Sequence, residues 1–147
     1  MYLYGALDYA IDERGRIAIP AKHRHEFAGG GVVRVSAEGC VELYTLQGFE
    51  AEAERRLSAE EGTRSRSARR TRRGFLGVAY PVDLDSQGRI QLPQIVRDGA
   101  HLNGKATIVG CGEYMEIWER ERWHREQAAL TAEEAEEMGI EDEGDGA

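Results

Sequence analysis

One stretch of this chain occurs twice. Asp12-Glu13-Arg14-Gly15-Arg16-Ile17-Ala18-Ile19-Pro20 returns 73 residues later as Asp85-Ser86-Gln87-Gly88-Arg89-Ile90-Gln91-Leu92-Pro93. Val41-Glu42-Leu43-Tyr44 returns as Met115-Glu116-Ile117-Trp118 at an offset of 74, and Phe49 and Trp123 keep that second offset. Two blocks that preserve their order and spacing indicate two copies of one supersecondary unit, each about 50 residues long. The fold is thereby restricted to solutions in which the copies pack as equivalents.

Each copy reads the same way. A short alternating strand (Leu7, Tyr9, Ile11, then Val82, Leu84) enters a tight turn, and Ile17 and Ile19, or Ile90 and Leu92, supply the next strand at period two. Pro20 and Pro93 stop that strand and suit the first turn of a helix, predicted over 21–27 and 94–100. Gly29-Gly30-Gly31 and Asn103-Gly104 read as turns. Strands follow near 32–36 and 106–109, hairpin partners at 41–44 and 114–118, and closing helices near 47–57 and 119–130. Tyr44, Phe49, Trp118 and Trp123, at matched positions, read as core and interface anchors rather than base-stacking platforms. Strands of four or five residues make poor free sheets, so the two units have to interleave strands to bury both apolar faces. The expectation is an α+β fold: a small, mixed, pseudo-two-fold barrel of two βαββ-type repeats with flanking helices. Residues 1–57 form the first repeat, 58–79 an Arg-rich helical connector, 80–130 the second repeat and 131–147 an acidic, disordered tail that has room for one helical turn near 131–138.

The duplicated turn invites two readings. Gly15 and Gly88 supply left-handed positions that a side chain resists. A three-residue loop ending in Gly sets Asp12 opposite Arg16, and Asp85 opposite Arg89, while the Asp side chain accepts backbone N–H groups within the turn. Structurally this closes a hairpin with a charge pair contributing about 0.2–1 kcal/mol. Functionally, the Asp holds one edge of a guanidinium and aims the other outward, ready for a phosphate or a guanine.

The net charge of −8 hides three electrical regions. Residues 131–147 hold eight carboxylates and no Lys or Arg, and the rest of the chain is neutral, with 19 acidic and 19 basic groups. Within it, residues 55–73 hold eight Arg against Glu60 and Glu61. Over 63–79, Ala68, Phe75, Leu76 and Ala79 share roughly one helical face, with Arg elsewhere. That pattern suits an amphipathic helix packed on the barrel or on a neighbour, and also a second phosphate-contacting surface. The tail either confers solubility or competes with a polyanion for basic surface. Seventeen of the 19 basic residues are Arg, which suits phosphate and guanine recognition and also follows from a GC-rich coding sequence.

Other chemistries find little support. No GxxxxGK or GxGxxG loop is present, and the carboxylates lie in turns with no Ser-His or Cys-His arrangement beside them. Neither an enzyme nor a cofactor is expected. His23, His25, His101 and His124 lack ligand-rich neighbours, so no metal is expected. Cys40 and Cys111 read as buried free thiols. No run of about 18 apolar residues exists, and the N-terminus lacks the pattern of a signal peptide, so a cytoplasmic protein with no membrane partner is expected.

DERGRIAIPAKHR and DSQGRIQLPQIVR, with GCVELYTLQGF and EYMEIWERERW, resemble the two halves of the MraZ family, bacterial transcriptional regulators of the SpoVT/AbrB swapped-hairpin class. The resemblance covers about residues 1–130. It implies a pseudo-symmetric barrel within each chain, homo-oligomeric rings, nucleoid association, and binding to short direct repeats in double-stranded DNA upstream of the division and cell-wall gene cluster. Asp12 and Arg16, with Asp85 and Arg89, match the family's DxxxR positions, and Arg16 is the strongest candidate for DNA contact. Arg14 stands where the family often has Lys at the loop tip, and Gln87 replaces that cation in the second copy. Lys22 and Arg24 match the PxKxR stretch, with Arg97 the counterpart of Arg24. The sequence departs from the family at His23, where an aromatic residue is usual. The implied DNA-binding set is Arg14, Arg16, Lys22, Arg24, Arg89 and Arg97, with Asp12, Gly15, Asp85 and Gly88 orienting the turns. The competing reading is a protein–protein assembly module that holds a neighbouring gene product.

Overall fold

In the computed structural model, which describes residues 2–58 and 65–139, the two copies exchange strands. The first copy contributes β1 (Ala6–Ala10), β2 (Arg16–Ala18), a 3₁₀ helix (Ala21–Phe27), β3 (Gly31–Val35), β4 (Val41–Thr45) and α1 (Leu46–Ser58). After α2 (Arg66–Phe75), the second contributes β5 (Ala79–Val82), β6 (Arg89–Gln91), α3 (Gln94–Gly99), β7 (Lys105–Gly110), β8 (Met115–Glu119) and α4 (Arg120–Glu137). Six strands form one sheet in the order β1-β7-β8-β4-β3-β5, and β2 and β6 form a separate ribbon. Every ladder is antiparallel. The sheet ends at β1 and β5 rather than closing on itself.

The exchange is reciprocal. β1 pairs with β7 of the other copy, β5 with β3, and β2 with β6. The strands flanking each Asp–Gly turn therefore pair with the opposite half and not with each other, so the turn is a crossing point rather than the simple hairpin expected. Ile17 faces Ile90 and Glu42 faces Glu116, and both pairs are repeat equivalents. The pseudo-two-fold axis runs through these two pairs.

Strand alternation splits the sheet into two faces. Val33, Val41, Leu43, Ile108, Met115 and Ile117 point to the ribbon and pack with Ile17, Ile19, Ile90, Leu92, Phe27 and Val96, none more than 2% exposed. Burial of each such side chain contributes about 1.5–3 kcal/mol. The opposite face carries Arg34, Glu42, Tyr44 and Trp118 beneath α1, α2 and α4. There Arg34 donates to Glu42 at 2.6 Å and to the Gly74 carbonyl at 3.0 Å, and Phe75 stacks on Phe49 with ring centroids 5.0 Å apart. Trp118 packs against Trp123 as Tyr44 does against Phe49.

Several expectations need correction. The connector helix stops at Phe75 instead of continuing to Ala79, because the N–H groups of Leu76 and Gly77 both turn back to the Arg72 carbonyl. A Cβ on Gly77 would lie 2.7 Å from the Arg73 carbonyl oxygen. Ala68 and Phe75 are its buried residues, as the amphipathic pattern required, whereas Ala79 opens β5. The helical turn allowed near 131–138 is present but is no separate piece: it continues α4 to Glu137, and Gly139, with φ +71°, follows the cap. Thr131–Glu137 is rich in Ala and Glu, strong helix formers, and the first Gly after it provides the left-handed stop. Residues 140–147, like Glu60, Glu61 and Arg64, lie outside the described residues. Leu7, apolar and on the edge strand β1, is 47% exposed. Cys111 is half-buried where full burial was expected, and Cys40 is buried. His23 is buried, edge-on to the Tyr4 ring. No helix among the described residues is long and apolar enough to cross a membrane.

Candidate nucleic-acid interface

Each turn is fixed by one carboxylate. Asp12 Oδ1 accepts the N–H groups of Arg14 and Arg16 at 2.9 and 2.8 Å, and Oδ2 accepts Arg16 Nε at 2.6 Å. Asp85 does the same in the second copy, with Gln87 and Arg89 N–H at 2.8 and 3.0 Å and Arg89 Nε at 3.0 Å. The backbone closes through Asp12 N–H to the Arg16 carbonyl and Asp85 N–H to the Arg89 carbonyl. The N–H of Arg16 holds the Asp12 carboxyl below the usual range, and the N–H of Arg89 does so for Asp85, each aided by the guanidinium. Both carboxylates are therefore charged at neutral pH. With Nε engaged, the Nη groups of Arg16 and Arg89 make no hydrogen bond to a described residue.

The β2–β6 register brings the two clamps together. Arg16 faces Gln91 and Ala18 faces Arg89, so these four share the outer face of the ribbon while Ile17 and Ile90 fill the inner one. The side chains of Arg16 and Arg89 are 30% and 28% exposed. Both line one groove of about 310 Å³, with Asp83, Asp85 and Gln91.

Arg24 and Arg97 have a second task that the sequence did not disclose. Arg97 Nε donates to the Leu92 carbonyl at 3.1 Å, and its guanidinium lies where a Cβ on Gly15 would be. Arg24 Nε donates to Ile19 at 3.0 Å and covers Gly88 in the same manner. Each turn is thus roofed by an arginine from the other half. Gly15 and Gly88, at φ +80° and +77°, are required both for backbone conformation and for this close approach. Two exchanged backbone bonds of 2.9 Å, Ile19 N–H to Gly88 and Leu92 N–H to Gly15, tie the halves beside these roofs.

Arg14 and Gln87 are exposed at the two turn tips. Lys22 lies apart from the groove, with Nζ 4.2 Å from the Tyr4 ring centroid. The arginines of α2 lie on the other side of the six-stranded sheet, because Phe75 docks against Tyr44 and Phe49 on the face opposite the ribbon. They do not extend the ribbon surface. Gln91 was missed in the sequence, although the repeat marks it: it stands where the first copy has Ala18.

The chemistry available here is that of charge and hydrogen bonding. Burial pushes the thiols of Cys40 and Cys111 up to about 12, which leaves them protonated at neutral pH. No group of three or more His, Cys, Asp or Glu among the described residues could hold a metal ion.

The chain is similar to known proteins over most of its length. The family model described as "MraZ protein, putative antitoxin-like" matches residues 2–73 and 75–141. A relative from Thermomicrobium roseum named transcriptional regulator MraZ is 38% identical over 129 residues, 88% of this chain and 89% of the relative. One of the same name from Moorella thermoacetica is 38% identical over 119 residues, 81% of this chain and 82% of the relative.

Proposed function

The chain belongs to the MraZ family, and on that premise we propose that it regulates transcription by binding double-stranded DNA sequence-specifically through the outer face of the β2–β6 ribbon. The observation that carries this reading is the pair of Asp-held arginines displayed on one exposed ribbon face. A two-stranded ribbon fits the major groove, and a guanidinium with its Nη groups free matches O6 and N7 of guanine or a phosphate. Arg14 at the tip, and Arg24 and Arg97 over the turns, add phosphate contacts, and Lys22 reaches the backbone further out.

One ribbon neutralises few phosphates, so one chain grips weakly. A homo-oligomeric ring presenting several ribbons raises affinity by multivalency when the DNA carries matching direct repeats. On this reading the target is the promoter of the division and cell-wall gene cluster, carrying such repeats, and the protein works at the nucleoid.

Gel retardation of a promoter fragment bearing the repeats tests this. Arg16→Ala and Arg89→Ala are expected to keep the fold and oligomer and to lose specific retardation. Wild-type binding should weaken steeply between low and moderate salt. Unchanged retardation by both variants would overturn the proposal.

A further inference from the structure

Besides the difference between Arg14 and Gln87 at the turn tips, the outer face of the β2–β6 ladder departs from two-fold symmetry at one pair of positions. Arg16 and Arg89 are equivalents, but the remaining pair of positions holds Ala18 in one copy and Gln91 in the other. Gln91 sits directly across from Arg16, and two residues along β6 from Arg89. It lines the groove that holds both arginines. Its Nε2 donates to the Arg14 carbonyl at 2.9 Å, which fixes the plane of the amide. One N–H and Oε1 remain available, an adjacent donor and acceptor. Ala18 offers only a methyl group.

We propose that Gln91 is a base-reading residue that recognises adenine and gives the ribbon a direction along DNA. The reading rests on the proposed DNA-binding function and adds to it a specificity that neither the turns nor the arginines supply. The paired donor and acceptor of a side-chain amide match N7 and N6 of adenine in the major groove. The bond to Arg14 sets the amide before DNA arrives, as Asp12 sets Arg16. Two equal clamps with equal neighbours would read a sequence and its inverted complement alike. Gln91 on one side and Ala18 on the other distinguish the two orientations. The preferred element is therefore non-palindromic, with an adenine beside the guanines read by the clamps.

Selection of bound sequences from a random duplex pool, using the full chain, tests the assignment. Wild type, Gln91→Ala, Gln91→Glu and Arg16→Ala are compared. The wild type should enrich an element containing the adenine. In Gln91→Ala, preference at that position should fall about tenfold while the guanine positions keep theirs. In Gln91→Glu, which keeps the length but only accepts, preference there should move towards cytosine. Arg16→Ala, expected to lose specific retardation, should enrich no element. If both Gln91 variants keep every base preference of the wild type, or lose affinity equally for all sequences, Gln91 only braces the Arg14 loop and the assignment is overturned. A wild-type protein that enriches no sequence overturns the proposed function and this assignment together; a wild-type motif left unchanged in the Gln91 variants overturns this assignment alone.

Discussion

An arginine held by one edge differs from one that swings freely. Its side chain carries about 2 kcal/mol of rotamer entropy, part of which the Asp12 clamp removes in advance. The side chains of the pair are 30% and 34% exposed, and ion pairs so open to solvent add little to stability. Asp12→Ala is therefore expected to leave the urea midpoint nearly unchanged and to weaken binding of the repeat-bearing fragment roughly fivefold or more. Acid acts on the same contact. The carboxyls of Asp12 and Asp85 titrate below 3.8 in the folded chain, so the contribution of the clamps is complete above that value and is lost as pH falls through the depressed one. The Nε–H resonances of Arg16 and Arg89 should report it, broadening only as the pH falls below the ordinary carboxylate range. Gly15→Ala forces a side chain into a left-handed site beneath Arg97, and should cost about 1–3 kcal/mol by denaturant titration. Much of this was legible in the sequence, because Asp-x-x-Gly-Arg encodes its own turn through contacts no more than four residues long. The arginine roof was not, since Arg97 lies 82 positions from the glycine that it covers.

Elements differ in how far local pattern decides them. The amphipathic connector was readable from Ala68 and Phe75 among arginines. What it docks against was not, because Arg34 and Glu42 sit in apolar strands and look like misplaced surface charges until the hairpin register sets them opposite each other. Arg34 and Arg56 both lie over the Phe75 ring, at 5.0 and 4.2 Å from its centroid. Phe75→Ala removes a ring that is 2% exposed, and should cost about 3–5 kcal/mol. Hydrogen exchange should then accelerate through α2 while the amides of β4, β7 and β8 stay protected. The end of α4 was legible only in part, for the opposite reason. Eight carboxylates suggested disorder by composition, but the first part of that segment also has high helix propensity and a capped N-terminal neighbour to extend.

For the molecule as a whole, strand exchange means that neither half owns a complete sheet. β1, β2 and β5 all find their partners across the pseudo-axis. The segment 1–58 alone is expected to give little β-sheet signal by circular dichroism, and mixing it with 65–139 should restore the signal. The repeat made this two-fold plan legible, since strands as short as β2, at three residues, cannot stand alone. The roofs over Gly15 and Gly88 carry a longer consequence. A side chain placed at either glycine collides with an arginine supplied by the other half, so a lesion in one turn is passed to the opposite repeat, whereas Ala18 and Gln91 stand outside that mutual contact and can change without disturbing it.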